Sequence, residues 1–570
     1  MRYLVLATDY DGTLAHHGQL DEPTIAALEQ LRASGRRVFL VTGRELDDLR
    51  RVCPRLELFD QIIAENGALL YTPADNSEQQ LGESPPEAFV AALHARGVAP
   101  LSVGRSIVAT WEPHQAAVLE VIRELGLELQ VIFNKGAVMV LPSGVNKASG
   151  LQAALDAAKL SPHNVVGIGD AENDHAFLSL CECGVAVANA LPTLKERADW
   201  VTADDHGAGV RELINAMLEN DLADHEPQLQ RHQLLIGTSA DGAEQRINPY
   251  ATNLLLSGSS GSGKSTLATA LLDQLAAHGY QFCIIDPEGD YDTYEHAAVL
   301  GDPAHEPTVD EILALLANPA QNVVVNLLGI KLERRPAFLD QLLPRLQELR
   351  SQTGRPHWIV LDEAHHMLNA DRAANSLPLP KQPRGMIYIT VHPDQMTPSV
   401  LATVDHVAII GAAPDATLQA FCRAVGDTAP QQLPPSLEQG ELLFWRRAKE
   451  SEPLRVRGVK PTSEHRRHIR KYAEGDLKDG SFFFRGPAGK LNLRAQNLML
   501  FMQLADGVDD ETWLYHLKQG DFTRWFQTNV KDDELAEEAA QIAADPALDA
   551  RASRTRMRAA IERRYTAPAA

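Results

Sequence analysis

Leu4-Val5-Leu6-Ala7-Thr8-Asp9-Tyr10-Asp11-Gly12-Thr13-Leu14 sets an apolar run directly before two carboxylates separated by one residue. The run is short and ends at a turn-forming glycine, so it reads as a buried strand followed by a tight loop. In a parallel α/β sheet, ligands bind at the loops that follow strand C-termini. Asp9 and Asp11 at such a loop can share one divalent cation, and an oxygen-only donor set suits Mg²⁺. Short apolar strands alternating with amphipathic helices recur along residues 1–220, for example at 38–42, 61–64 and 165–169. That alternation predicts an α/β fold with a parallel sheet.

Three further stretches follow predicted strands or open predicted helices. Val41-Thr42-Gly43-Arg44 offers a hydroxyl and backbone N–H groups to a phosphoryl oxygen. Lys147 begins a helix and can neutralise phosphate charge, and Gly169-Asp170-Ala171-Glu172-Asn173-Asp174 adds acids for a metal. In this order the four stretches resemble the haloacid dehalogenase (HAD) superfamily. Glu65-Asn66-Gly67-Ala68 and the Gly-Asp-x-x-Asn-Asp pattern are similar to its Cof-type and sugar-phosphatase branch. The resemblance implies that Asp9 attacks phosphorus and Asp11 serves as acid and then base. Thr42 and Lys147 would hold the phosphoryl group. Asp9, Asp11, Asp170 and Asp174 would form the Mg²⁺ site, with Asn173 and Asp174 ordering Asp170 and Lys147. The same resemblance makes residues 72–142 an α/β cap over the substrate, with Arg105, Trp111, Asn134 and Lys135 as candidate specificity residues.

A second chemistry begins at Asn253-Leu254-Leu255-Leu256-Ser257-Gly258-Ser259-Ser260-Gly261-Ser262-Gly263-Lys264-Ser265-Thr266. This is Gly-x-x-x-x-Gly-Lys-[Ser/Thr] between an apolar strand and a helical run, the context that a phosphate-cradling loop requires. Backbone N–H groups from Gly258 to Gly263 would wrap the phosphates of ATP, together with Ser259, Gly261, Ser262 and Thr266. Lys264 would reach the β/γ phosphates, and Ser265 would ligate Mg²⁺. A second apolar strand, 357–361, ends in Asp362-Glu363, an acid for the Mg²⁺ shell beside a base for attacking water. With Asp286-Pro287-Glu288-Gly289-Asp290-Tyr291 and the stretch ending at Thr390 and His392, residues 234–446 resemble the HerA/FtsK group of P-loop ATPases. That resemblance implies Glu363 as base, Thr390 or His392 as γ-phosphate sensor, a hexamer, and DNA translocation. Its arginine finger would come from Arg334, Arg335, Arg372, Arg384 or Arg423.

The fold class expected is therefore α/β throughout most of the chain: a HAD Rossmannoid domain with an α/β cap, then an ASCE-type P-loop domain, then a small, mainly helical C-terminal domain. The boundaries are 1–220 (core 1–71 and 143–220, cap about 72–142), a linker at 221–233, the ATPase at 234–450 and the helical region at 460–570. In the last region, basic residues alternate with aromatics at 465–472, 481–486, 490–496 and 512–525. Such a pattern either stacks nucleic-acid bases or fills a small core, and the core reading is preferred. The net charge of −23 is concentrated in residues 1–455, which carry −25, an unfavourable surface for nucleic acid. Five scattered cysteines match no zinc or redox spacing and read as buried thiols. No apolar run is long enough to span a membrane, and the start lacks a signal-peptide pattern, so a cytoplasmic enzyme is expected. Its expected partners are a small phosphorylated substrate, ATP and other copies of itself. Two alternatives stand beside this reading. One is nucleic-acid processing: strand-end healing, which the cap and the Asp362-Glu363 pair disfavour, or DNA translocation, which the HerA/FtsK resemblance implies. The other is an ATP-dependent switch or scaffold.

Overall fold

A computed structural model describes residues 1–250, 252–259, 261–370, 383–430, 433–434, 436–447, 452–462, 477, 480–487, 489, 491–530 and 532–565. The chain forms two compact units, residues 1–289 with 295–460, and residues 290–294 with 461–570.

The first unit opens with β1 (Val5–Thr8), β2 (Arg37–Val41), β3 (Gln61–Ala64), β4 (Leu69–Thr72) and β5 (Ser77–Gln80). A separate small sheet follows from β6 (Ser102–Val103), β7 (Val108–Trp111), β8 (Leu129–Asn134) and β9 (Ala137–Pro142). The chain then returns with β10 (Val165–Gly169), β11 (Cys183–Ala186) and β12 (Trp200–Val201). The large sheet has the order β12-β11-β10-β1-β2-β3-β4-β5, parallel from β12 to β3. Val5, Leu6 and Ala7 are all fully buried. Both faces of β1 are covered, and its residues therefore run apolar without alternation.

The small sheet, ordered β6-β7-β9-β8, alternates instead. Val138 and Val140 on β9 pack with Phe89, Leu93, Val118 and Val121 from the helices Glu87–Ala95 and Gln115–Leu125. Ala137, Met139 and Leu141 face the other way, in one cluster with Ala68. A period of two thus gives the cap one face for its own helices and one for the core domain.

The same unit continues through β13 (Leu234–Ser239), β14 (Glu244–Ile247), β15 (Asn253–Gly258), β16 (Phe282–Asp286), β17 (Ala298–Leu300) and β18 (Val323–Asn326). After these come β19 (Trp358–Leu361), β20 (Met386–Thr390), β21 (His406–Ile410), β22 (Glu441–Arg446) and β23 (Leu454–Gly458). Their order is β14-β13-β23-β22-β21-β15-β20-β19-β16-β18-β17, parallel from β21 to β17. One strand, β20, separates β15 from β19. Residues 221–233, read from sequence as a linker, carry a 3₁₀ turn (Ala223–Gln228) and pack against the first sheet. Arg231 pairs with Asp199 at 2.7 Å, and His225 stacks on Trp200.

In the second unit, β24 (Phe482–Phe484) and β25 (Leu493–Ala495) form a hairpin, and helices span Leu498–Gly507, Asp510–Lys518, Asp533–Ala544 and Ala550–Tyr565. Phe482, Phe484, Phe501, Trp513, Phe522 and Trp525 are buried together, and Trp513 Nε1 donates to Ser553 Oγ at 2.9 Å. These rings are spent on a core and are not available as a stacking platform. The basic run 465–472, Lys490 and Arg372 lie outside the described residues. All five cysteines are buried free thiols. Among the described residues, no helix is long and apolar enough to cross a membrane.

Buried His406 contributes to an acid limit on stability. His406 begins β21, its Nδ1 has no hydrogen-bond partner, and burial, with Arg446 nearby, pushes it down to about 4 from the ordinary 6.5. A base depressed in the folded state binds fewer protons there than in the unfolded chain. Stability is therefore expected to hold above about pH 6.5 and to fall as pH drops from there towards 4. Urea midpoints between pH 8 and pH 4 measure this, and His406→Leu should make the acid side of the curve shallower by one group's share.

Candidate active sites

Asp9 follows β1, Thr42 follows β2, and Asp170 follows β10, so the parallel sheet delivers all three to one edge. The helix Lys147–Ala158 supplies the fourth group. Asn146 caps it by accepting from the N–H groups of Ala148 and Ser149, which fixes Lys147 as its first residue. Lys147 Nζ then lies 2.6 Å from Asp9 Oδ1 and 2.6 Å from Asp174 Oδ1, with all three side chains buried. Asp174 Oδ2 accepts from the backbone N–H groups of Asp170 and Ala171 at 2.8 and 2.9 Å. Both of its oxygens are thus engaged in holding Lys147 and the Asp170 loop.

Asp9, Asp170 and Asp174 offer carboxylate oxygens that all lie within 4.8 Å of one another. Burial pushes the Asp9 carboxyl well above the usual range, with Lys147 opposing the rise and the other two acids adding to it. Burial raises Asp170 in the same way. Burial disfavours the charge on Lys147, but Asp174 and Asp9 outweigh it and leave the ammonium more strongly protonated than usual. Gly12 is required here: its φ is +85°, and a Cβ would stand 2.3 Å from Asp170 Oδ2.

Asp11 stands outside that converging group. Arg44 holds it through two bonds, Nε to Oδ2 at 2.6 Å and Nη2 to Oδ1 at 2.7 Å, and also contacts Asp48. Thr42 is buried, and its Oγ1 accepts from the N–H of Arg44.

Of the four cap residues singled out from sequence, Lys135 alone is bonded to this acidic group. It sits with Gly136 in a two-residue turn between β8 and β9, both at positive φ, +48° and +85°. A side chain in that conformation is strained, and such strain concentrates at functional positions. Lys135 Nζ pairs with Asp170 Oδ2 at 2.6 Å. Arg105 pairs with Glu78 and Asp47, Trp111 is half exposed, and Asn134 is half-buried. Sequence reasoning missed the task of Glu65. Fully buried at φ +50°, it accepts from the N–H groups of Arg105, Ser106 and Ile107 and so ties the cap to the core.

At the second site, β15 ends in the glycine-rich loop and the helix Lys264–Ala277 begins at its lysine. Gly258 has φ +146°, and a Cβ there would collide with Ile410 O at 1.8 Å. Gly261 and Gly263 also have positive φ, which curls the backbone of Ser259 and Ser262 around the helix start. Lys264 Nζ donates to the carbonyls of Gly258 and Ser259 at 2.9 Å each. Burial lowers its pKa, opposed by Glu363, Asp362 and Glu288. Ser265 and Thr266 lie half-buried in the first turn.

Asp362 and Glu363 follow β19, and Glu363 is held at φ +43°. His365 Nδ1 lies 3.4 Å from Glu363 Oε2 and 3.0 Å from Thr390 Oγ1, which in turn accepts from the His392 N–H. Burial pushes His365 down to about 4, so it is neutral between the two. His365 lies only two residues after Glu363, but its contacts with Glu363 and Thr390 come from packing and carry no local sequence signal. Arg334 pairs with Glu306 at 2.6 Å, Arg335 Nε bonds the Ile330 carbonyl, and Arg423 is exposed.

Two strand-end sites stand in this unit, one a buried carboxylate cluster around a lysine and the other a glycine-rich loop that opens a helix at a lysine. Residues 6–93 and 115–214 match the haloacid dehalogenase-like hydrolase family, and residues 247–384 match an AAA domain. A phosphoglycolate phosphatase of Methanothermobacter thermautotrophicus is 30% identical over 222 residues, 37% of this chain and 98% of that protein. The phosphoglycolate phosphatase of Halorubrum lacusprofundi is 32% identical over 220 residues, 37% of this chain and 95% of that protein. A solved haloacid dehalogenase-like hydrolase from Bacteroides thetaiotaomicron covers 38% of this chain and 99% of its own, at 19% identity and a TM-score of 0.34. The chain belongs to the haloacid dehalogenase-like hydrolase family. It is an enzyme, a phosphatase of that type fused to a P-loop ATPase.

Proposed function

We propose that the N-terminal half hydrolyses a small, anionic phosphomonoester through an aspartyl-phosphate on Asp9, and that residues 234–450 hydrolyse ATP. The observation that carries the first part is the buried Asp9–Lys147–Asp174 chain beside Asp170. Asp9 Oδ would bond phosphorus as the ester P–O bond breaks, with Asp11 passing a proton to the leaving oxygen. Water would then attack the phosphorus of the aspartyl-phosphate, give its proton to Asp11, and free Asp9 and inorganic phosphate. Lys147 and Thr42 would hold the phosphoryl oxygens.

The buried, all-oxygen donor set fits Mg²⁺. Asp9 and Asp170 would hold it: Asp174 is engaged by Lys147 and two backbone N–H groups and Asp11 by Arg44, whereas the cation on Asp170, Lys135, comes from the β8–β9 turn and can leave with the substrate. Bound there, the ion supplies positive charge to the phosphoryl group. Arg44 on Asp11 and Lys135 on Asp170 are cations that an anionic substrate would draw onto itself, releasing Asp11 for its proton transfers. 2-Phosphoglycolate, after the curated relatives, and sugar phosphates, after the Cof-type resemblance, are therefore the first substrates to test. Lys135→Ala is expected to lower kcat/KM by about tenfold or more, chiefly through KM, for a substrate with a second negative group. A neutral aryl phosphate should be affected less, and steady-state kinetics on both substrates check this. Equal losses on the two would remove Lys135 from substrate recognition.

For the ATPase, the strand order with β20 between β15 and β19 supports an ASCE-type P-loop fold, and the HerA/FtsK-type reading rests on the motif resemblance alone. Lys264, Ser265 and Asp362 would bind ATP with Mg²⁺, and Glu363 would orient and deprotonate water. His365 is placed to hold Glu363 and to couple it to Thr390. Measuring ATP hydrolysis with and without the phosphomonoester tests whether the two sites work independently.

A further inference from the structure

His163, Glu182 and His232 come from three separate segments and meet where the phosphatase half packs on the ATPase half. His163 lies in the turn before β10, and Glu182 immediately precedes β11. His232 lies two residues before β13. Their ligand atoms all lie within 4.8 Å of one another. The cluster sits at the N-terminal ends of β10 and β11, about 15 Å of strand away from Asp170. It belongs to neither catalytic site.

The hydrogen bonding there leaves one contact of His163 unsatisfied by a neutral ring. His163 Nε2 is 2.7 Å from the His278 carbonyl, at the C-terminal end of the P-loop helix. A carbonyl only accepts, so Nε2 carries hydrogen. His163 Nδ1 is 2.7 Å from Glu182 Oε2, an oxygen that also accepts from Tyr280 Oη at 2.8 Å. A neutral imidazole would therefore point a lone pair at a carboxylate. His232 Nε2 is buried without a hydrogen-bond partner, 3.9 Å from that same oxygen. Arg2 takes the other oxygen of Glu182 at 2.6 Å, but it also contacts Glu226 at 3.4 Å.

We propose that His163, Glu182 and His232 bind one transition-metal ion of the zinc class, stapling the two halves together. Two imidazoles and a carboxylate suit zinc or cobalt, whereas Mg²⁺ prefers oxygen alone. Zinc bonds of about 2.0–2.1 Å put neighbouring ligands about 3.3 Å apart, so His163 must withdraw from Glu182 and His232 approach it by less than about 1 Å. The bond from His163 Nε2–H to the His278 carbonyl is the outer-sphere contact that orients a metal-bound histidine. The ion would join the start of β10, the segment before β13 and the end of the P-loop helix.

The test uses the full chain carrying Asp170→Asn, which disables the carboxylate cluster of the phosphatase site as a competing metal site. Co²⁺ titration should give a tetrahedral visible absorption band that saturates at about one equivalent, and Zn²⁺ should displace it. Adding His232→Ala, at a residue on the rim of the cluster, should abolish the band and any rise in Tm caused by Zn²⁺. Histidine ¹⁵N spectra of the parent provide a readout that needs no further substitution. Zn²⁺ should convert His163 Nδ1 and His232 Nε2 to metal-bound shifts. No saturable Co²⁺ band, a band unchanged by His232→Ala, or a His163 that stays doubly protonated in excess Zn²⁺ would each overturn the proposal. In the last case a proton is the resident cation.

Discussion

Asp9→Asn is expected to abolish phosphate release from phosphomonoesters, by at least about 10³-fold in kcat, and to leave ATP hydrolysis at the wild-type rate. Asn matches Asp in shape, so the buried site should remain packed. Lys147 keeps Asp174 as its ion partner at 2.6 Å, and Asp174 keeps its backbone bonds to Asp170 and Ala171. What disappears is the nucleophilic oxygen. KM should change far less than kcat, because Thr42, Lys147 and the cap remain in place. A colorimetric phosphate assay on 2-phosphoglycolate and on a sugar phosphate, run beside an ATPase assay, reads both activities. Wild-type phosphatase turnover in the variant would mean that Asp9 only orders Lys147.

Glu363→Gln should produce the reciprocal result. ATP hydrolysis is expected to fall by about 10²–10⁴-fold, the usual contribution of a positioned base, while nucleotide binding is retained. Gln fits the same strained turn and can still meet His365, but it cannot accept the proton of water. Lys264→Ala should differ by losing nucleotide affinity as well, because its ammonium is the side-chain charge aimed along the glycine-rich loop. Fluorescent-nucleotide binding together with steady-state hydrolysis separates the two variants. If Glu363→Gln hydrolyses ATP normally, the base lies elsewhere, and the contact between His365 and Thr390 becomes the place to look.

Some of this was readable in sequence because it is local. Asp9 and Lys264 each sit where an apolar strand gives way to a glycine-containing loop, and a strand end plus a turn residue is a short-range signal. Lys147 was readable because a helix start follows Asn146. The contacts that connect these segments were not readable, since they join residues far apart in the chain. Lys135 was one of four equivalent-looking cap residues until the turn between β8 and β9 brought it to Asp170. The pairing of Arg44 with Asp11 depends on how two loops from neighbouring strands face each other. Glu65 appeared as part of a tetrapeptide, and its task appears only once the loop at 105–107 lies above it. In the C-terminal region, interleaved aromatic and basic residues fit two readings as a pattern, with the core reading preferred. Burial of Trp513 and Trp525 assigns those rings to a core.

A covalent phosphoenzyme on Asp9 is the intermediate on which the proposed phosphatase reaction depends. Its most direct test is an acid quench of wild-type protein turning over a phosphomonoester, followed by digestion and mass spectrometry of the peptide containing Asp9. The expected result is a phosphoryl adduct on Asp9 that is absent without substrate and absent from Asp9→Asn protein. An adduct on another residue, or undiminished phosphate release by Asp9→Asn protein, would contradict it.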